Sequence, residues 1–347
     1  MTWNRRQLLQ VGGAAFAAAS LPSLGDSDDA KRDVIKPRRI KEGDLVGLVG
    51  PAGATFHPDR AELARENMAA LGLRTRFGEH LLDRYGYLAG RDEDRAADIN
   101  SFFADPEVRV VLAQGGGWGC NRLLPLLDYD LIRKNPKIVM GFSDVTGLLL
   151  GIHAKTGLVT FHGPMGGSSW NEFNTDYAKR LLFGGQALTM RNKKGDEDRL
   201  VQRENRVLTI TSGKGRGRLV GGNLTVLTAL MGTGYLPDFA SCILFIEDVH
   251  EEVYRVDRML TQLSLAGVLK DIKGFVFGRC SDCEPKSRYG SLTLEEVLAD
   301  HVAPLGIPAW YGSMIGHIKH YFTVPLGIEA EIDADSGTIK LLEPAVV

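Results

Sequence analysis

Along the first half of the chain, short apolar runs alternate with stretches that are apolar on one side only. Leu45-Val46-Gly47-Leu48-Val49, lying between Gly43 and Gly50, ends in the turn-rich Pro51-Ala52-Gly53-Ala54. An apolar run bounded by turn residues fits a strand buried on both faces. Val108-Arg109-Val110-Val111-Leu112-Ala113 and Lys137-Ile138-Val139-Met140 repeat the pattern. Between and after them, Arg60 to Leu71, Asn121 to Leu127 and Thr146 to Lys155 carry helical spacing. Strands alternating with helices predict a parallel sheet covered on both faces.

The pattern changes from Gly166 to Asn205, where Gly, Ser, Asn and charged residues leave few sustained apolar runs. That stretch reads as a linker. Beyond it, Arg206 to Ile210, Gly217 to Val220, Cys242 to Ile246 and Gly274 to Phe277 read as strands, and Thr225 to Met231, Val253 to Ala266 and Leu294 to His301 as helices. A strand pair is expected across Asp335-Ser336-Gly337. The chain is therefore read as α/β. A doubly wound parallel-sheet domain covers 35–165, a linker 166–205, and a smaller α/β, β-rich domain 206–347. A length of 347 residues suits about two domains.

Residues 1–30 stand apart. Asn4-Arg5-Arg6-Gln7-Leu8-Leu9-Gln10 leads into an Ala- and Gly-rich apolar stretch from Val11 to Leu21, and then into acidic Asp26 to Asp29. Paired arginines before a weakly apolar segment read as a twin-arginine export signal with a polar spacer, cleaved near Ala17-Ala18-Ala19. The apolar stretch is too short for a membrane span. These features predict a bacterial protein that is periplasmic or otherwise exported, without stable membrane insertion once the signal is removed.

Charge and cysteines narrow the classes further. The 41 basic and 43 acidic residues are dispersed, with a formal charge of −2 and no basic stripe, so nucleic acid is not an expected partner. Cys280 and Cys283 form one C-x-x-C, but no second pair supplies the rest of a zinc or haem site. The pair reads equally as a disulfide or as two thiols. Cys120 and Cys242 lie in apolar surroundings and read as small core residues.

Candidate chemistry gathers at strand ends. Gly141-Phe142-Ser143-Asp144 follows the strand ending at Met140 and precedes the helix from Thr146. A serine on such a turn exposes its hydroxyl beside backbone N–H groups, which is what a serine nucleophile needs. The match to G-x-S-x-G is partial, because Val145 stands at the second glycine position. Gln114-Gly115-Gly116-Gly117-Trp118-Gly119 follows another strand, and reads as a structural turn, an anion loop or the lining of an active site. It lacks the P-loop lysine. Ile243 to Ile246 ends in two acids, Glu247 and Asp248, either of which could orient an imidazole. Ser313-Met314-Ile315-Gly316-His317 offers that imidazole, and His162 in Phe161-His162-Gly163-Pro164-Met165 competes with it. His317 and His320 form an H-x-x-H without a clear third ligand, so no metal is expected.

Taken together these residues resemble the LD-carboxypeptidase (muramoyltetrapeptide carboxypeptidase) family. Gly141-Phe142-Ser143-Asp144-Val145-Thr146, Gly116-Gly117-Trp118-Gly119 with Asn121-Arg122-Leu123-Leu124 and Leu127-Asp128-Tyr129, and His162-Gly163-Pro164-Met165 are similar to its N-domain. Gly221-Gly222-Asn223-Leu224, Glu247-Asp248 with Tyr254-Arg255-Val256-Asp257-Arg258-Met259-Leu260, and Gly316-His317 with Pro325-Leu326-Gly327 are similar to its C-domain. The resemblance runs from about Ile35 to Leu342.

The resemblance implies a flavodoxin- or glutamine-amidotransferase-like N-terminal sheet and a Ser-Glu-His peptidase without a cofactor. Ser143 would be the nucleophile, His317 the general base and Glu247 its orienting carboxylate. The backbone N–H groups of Asp144 and Gly117 would form the oxyanion hole, and Gly116, Trp118, Asn223 and Arg255 would face the substrate. The implied substrate is a murein tetrapeptide losing its C-terminal D-alanine, with cleavage of a peptidyl-nucleotide antibiotic as the family alternative. A non-catalytic periplasmic binding protein is the alternative from another class. A homodimer is expected, since dimers are common in the family. Family members often carry an arginine just before the paired glycines, where this chain has Gln114-Gly115. The substrate's terminal carboxylate then needs another cation or a nest of N–H donors, with Arg122, Arg255 and Asn223 as candidates. Each has a structural alternative: Arg122 pairing with Asp128, Arg255 with Glu251 or Glu252, and Asn223 capping the following helix. Trp170 and Trp310 are candidate platforms for an adenine.

Overall fold

The computed structural model describes residues 33–195, 198, 200–285 and 290–347. The proposed export signal lies outside the described residues. Through the first half of the chain, β1 (Leu45–Val49), β2 (Arg74–Phe77), β3 (Val108–Ala113), β4 (Ile138–Gly141) and β5 (Thr160–His162) form the strands. They alternate with α1 (Asp59–Ala70), α2 (Asp92–Ala104), α3 (Tyr129–Lys134) and α4 (Thr146–Thr156). The strands pair in parallel in the order β5-β4-β3-β1-β2. Every residue of β1 is buried, as the unbroken apolar run predicts for a strand covered on both faces. Fully burying a side chain such as Leu48 or Phe161 stabilises the fold by about 1.5–3 kcal/mol.

Residues 166–205, read as a linker, hold α5 (Glu172–Ala178), a π-helical turn over Lys179–Phe183 and β6 (Thr189–Arg191). Asn171 caps α5 with its side chain, and Leu181 and Leu182 pack into the core. The second half adds β7 (Leu208–Thr211), β8 (Lys214–Asn223), α6 (Leu224–Ala229), β9 (Cys242–Val249), α7 (Val253–Leu265) and β10 (Gly274–Ser281). It ends with α8 (Leu294–Val302), β11 (Ala309–Tyr311), β12 (Val324–Leu326), β13 (Glu329–Asp333) and β14 (Thr338–Leu341). Seven of these strands and β6 make an eight-stranded sheet, β6-β14-β13-β8-β9-β10-β11-β7, parallel at its centre and antiparallel toward both edges. The turn predicted at Asp335-Ser336-Gly337 joins β13 to β14.

The eighth strand of the second half crosses over. β12 joins the first sheet, antiparallel to β5, with Val324 opposite His162. The first sheet is therefore six-stranded and mixed rather than wholly parallel. The helix expected over Asn121 to Leu127 is a 3-10 helix over Cys120–Leu126 containing Pro125, whose missing N–H is incompatible with an α-helical ladder. Cys280 and Cys283 are disulfide-bonded, while Cys120 and Cys242 are buried free thiols. No helix among the described residues is long and apolar enough to cross a membrane.

Candidate active site

β4 delivers its last residues, Met140 and Gly141, to the carboxyl edge of the first sheet, and the chain turns sharply at Ser143 before α4. Ser143 has φ 61°, a left-handed conformation that L-residues adopt at a cost. Gly141 makes the turn possible, because a β-carbon there would lie 2.6 Å from Val145 Cγ1. Val145, which breaks the sequence motif at the second glycine, is thus accommodated by the glycine four residues before it.

His317 Nε2 lies 2.9 Å from Ser143 Oγ, and its Nδ1 lies 2.8 Å from Glu247 Oε2. The carboxylate fixes the tautomer: Nδ1–H donates to Glu247, leaving Nε2 to accept the Ser143 hydroxyl proton. Glu247 sits in β9 and is fully buried. Successive strand residues point to opposite faces, so the neighbouring Asp248 turns away from His317. Asp248 Oδ1 accepts from Asn223 Nδ2 at 3.0 Å, and its Oδ2 accepts from the Thr225 N–H and hydroxyl at 2.9 and 2.8 Å. Burial and the adjacent Glu247 charge push the Asp248 carboxyl up to about 6, against those hydrogen bonds. Of the two acids at the strand end, Glu247 is the one that meets the imidazole.

His317 is held on several sides. Phe142 packs edge-on against its ring at 5.0 Å, and Ser281 Oγ donates to its backbone carbonyl at 2.8 Å. Burial alone lowers its pKa, but the hydrogen bond and charge of Glu247 outweigh that and raise it above the ordinary value. His162, the competing histidine, is fully buried between Phe142 and Phe245, at centroid distances of 5.9 and 5.8 Å. Burial drives its pKa down to about 4, so it stays neutral.

The glycine loop closes over the serine. A β-carbon on Gly116 would lie 3.1 Å from Ser143 Cβ and 3.3 Å from Oγ, so this glycine permits the close approach. The Gly116 carbonyl accepts from the Gly53 N–H at 3.1 Å. In a planar trans peptide the N–H of Gly117 then points away from Gly53. Asp144 Oδ2 accepts from the Cys120 N–H at 2.8 Å, tying the serine turn to the far end of the loop. Arg95 of α2, which the sequence pattern did not single out, is buried and donates to the carbonyls of Pro51 and Gly119.

A cleft of about 820 Å³ opens beside His317, with Gly116 and Phe142 in its wall. Of the four residues expected to face the substrate, only Gly116 lines it. Trp118 is 70% exposed and stands edge-on to Tyr87. Asn223 caps α6, its Oδ1 accepting from the Val226 N–H at 3.1 Å. Arg255 is exposed, against the Tyr254 hydroxyl and Glu251. Arg122 bonds Asp92 at 2.7 Å rather than Asp128, which caps α3 instead. Trp170 donates to the Met165 carbonyl, and Trp310 is fully buried against Ser313. The cleft has two cationic side chains the sequence did not mark, Arg60 and Lys319. Among the described residues, His80, Asp83 and Asp94 could together hold a metal ion, and none of them touches the triad.

A model described as LD-carboxypeptidase N-terminal domain matches residues 46–163, and one described as LD-carboxypeptidase C-terminal domain matches residues 216–332. The chain is 39% identical over 304 residues to a probable murein peptide carboxypeptidase of Bacillus subtilis, covering 87% of this chain and 93% of that protein. It is 34% identical over 281 residues to the microcin C7 self-immunity protein MccF of Escherichia coli, covering 74% and 80% of the two chains. Among solved structures, MccF in its wild-type apo state superposes with a TM-score of 0.81 at 28% identity, covering 90% of this chain and 100% of that one. A muramoyltetrapeptide carboxypeptidase from Oxalobacter formigenes gives 0.73 at 28% identity, covering 86% and 97%.

Proposed function

This chain belongs to the LD-carboxypeptidase family of peptidases, and on that premise we propose that it is a serine carboxypeptidase releasing the C-terminal D-alanine from murein tetrapeptides. The observation that carries the reading is the continuous relay from Ser143 Oγ through His317 to Glu247, at 2.9 and 2.8 Å. Both contacts are within the reach that proton transfer requires.

In the proposed reaction Ser143 Oγ attacks the carbonyl of the L-centre residue as His317 Nε2 takes its proton. Glu247 holds the imidazole and stabilises the imidazolium that forms. The backbone N–H groups of Asp144 and Gly117 receive the oxyanion, a contribution whose loss typically costs about 100- to 1,000-fold in turnover. His317 then gives its proton to the amine of the departing D-alanine, and water, activated by the same histidine, hydrolyses the acyl-enzyme. The nucleophile comes from the first sheet and its helpers from the second half of the chain, so turnover depends on the packing between them.

We further propose export through the Arg5-Arg6 segment and assembly as a homodimer. The Cys280–Cys283 disulfide supports an oxidising compartment. The test of the activity is incubation of the purified protein with a murein tetrapeptide, following free D-alanine by mass spectrometry. Release that is lost in Ser143→Ala supports the reading. The likeness to MccF favours one second reading, hydrolysis of a peptidyl-nucleotide amide. Cleavage of an aminoacyl-sulfamoyl adenylate with no release from the tetrapeptide would select it.

A further inference from the structure

A carboxypeptidase must recognise a free terminal carboxylate, and a carboxylate leaving water needs a cation or several N–H donors. The cations that the sequence nominated are committed elsewhere, Arg122 to Asp92 and Arg255 beside Glu251 and Tyr254. The loop beside Ser143, Gln114-Gly115-Gly116-Gly117-Trp118-Gly119, carries no cation of its own. A β-carbon built on Gly115 meets nothing within 4 Å, so the loop leaves open space at that point.

The charge of the cleft comes from other elements. Arg60, Leu63 and Asn67 all line it, at i, i+3 and i+7 along α1, which is one face of a helix. Lys319 lines it as well, two residues beyond His317. Among the described residues no acidic side chain lines the cleft, so its net charge is positive. The glycine loop and α1 are joined directly: Gln114 Nε2 donates to the Arg60 carbonyl at 3.2 Å. On the same helix, Asn67 Nδ2 reaches the Gly166 carbonyl at 3.5 Å. The backbone bearing Arg60 is thus anchored to the wall that also holds Gly116 against Ser143.

We propose that Arg60 is the specificity-determining cation of this enzyme, receiving the terminal carboxylate of the substrate, with Lys319 adding to the positive field of the same cleft. The inference rests on the carboxypeptidase reading above. A guanidinium presents paired N–H donors in one plane, which match the two oxygens of a carboxylate. Its contact is made equally to the bound substrate and to the transition state, because the carboxylate does not react. It should therefore act on KM more than on kcat.

The experiment compares wild type and Arg60→Gln on one murein tetrapeptide, once with its terminal carboxylate free and once as the C-terminal carboxamide, with folding checked by circular dichroism. For the free acid, Arg60→Gln should raise KM by about 10- to 100-fold with kcat within a few-fold of wild type. For the carboxamide, wild type and variant should have similar KM values, and Arg60→Lys should recover part of the loss on the free acid. An unchanged KM on the free acid, or an equal loss on both peptides, overturns the assignment of Arg60 while leaving the carboxypeptidase reading standing. Failure of the folded wild type to hydrolyse any tetrapeptide overturns both.

Discussion

Gly316 faces Glu247 so closely that a β-carbon on it would lie 2.7 Å from Oε2 and 2.9 Å from the Glu247 β-carbon. The residue before His317 is thus fixed as glycine twice, by this approach and by its φ of 116°. Gly316→Ala is expected to push Glu247 and His317 apart. A displacement of about 1 Å at such a relay typically costs on the order of 100-fold in rate. Steady-state kinetics with a circular dichroism control checks it, and a folded Gly316→Ala with wild-type kcat would show that the relay tolerates the added methyl.

The pH profile follows from His317. The imidazole must be neutral to take the serine proton, and its pKa is raised because the hydrogen bond and charge of Glu247 outweigh burial. The acid limb of kcat/KM should therefore lie above pH 6.5, with activity rising as pH passes through the raised value. The stability linkage has the opposite sense. A raised folded pKa contributes stability that is fully present below the unfolded value of 6.5 and is lost as pH rises through the folded value. Glu247→Gln should move the acid limb downward and lower kcat by about 1,000- to 10,000-fold, since the amide no longer stabilises the imidazolium or fixes its tautomer. An unmoved limb in Glu247→Gln would assign the titration to another group.

His162 carries a stability signature of the other sign. Its folded pKa of about 4 lies below the ordinary 6.5, because burial outweighs the attraction of Glu247. The unfolded chain then binds the extra proton first, so this group's contribution is present above pH 6.5 and lost as pH falls toward about 4. Across that window it amounts to on the order of 3 kcal/mol. His162→Leu removes it, so the stability gap between wild type and variant, measured by urea unfolding, should shrink as pH falls from 6.5 to 4. A gap independent of pH would mean that His162 takes up its proton at the same pH in the folded and the unfolded chain, so that burial does not depress its pKa.

Legibility in the sequence follows the physics of each position. Ser143, Glu247 and His317 stood out because each ends or follows a short apolar run; in the structure Ser143 sits on the turn after β4, whereas Glu247 lies inside β9, two residues before its end. Their mutual contact was not in those runs; it came from the order of motifs along the chain. Arg60 was silent because an arginine in the first turn of a largely polar helix looks solvated, and only the position of α1 beside the glycine loop turns it toward the cleft. Residues 166–205 read as linker because their apolar residues are few, yet Leu181 and Leu182 are buried by the core they meet. β12 was invisible for a related reason, since its three residues, one of them proline, pair at a sheet edge fixed by residues 160–162.

The turn that exposes Ser143 should trade stability for activity. At φ 61° a serine β-carbon is strained, whereas glycine takes the same conformation freely. Ser143→Gly removes the nucleophile, so turnover should fall by about a million-fold, as removal of a nucleophile does in serine peptidases. It also removes the strain and the hydroxyl contact to His317 at 2.9 Å. The relieved strain is about 1–3 kcal/mol, against about 1 kcal/mol for a hydrogen bond and about 1 kcal/mol for the freedom glycine gains when unfolded. Ser143→Ala keeps the β-carbon and loses the hydrogen bond, so it has no compensating gain. Ser143→Gly should therefore be the more stable of the two inactive variants, by roughly 1 kcal/mol in urea unfolding. The reverse ranking would show that the turn holds Ser143 without strain, and that its left-handed conformation is not maintained at the expense of stability.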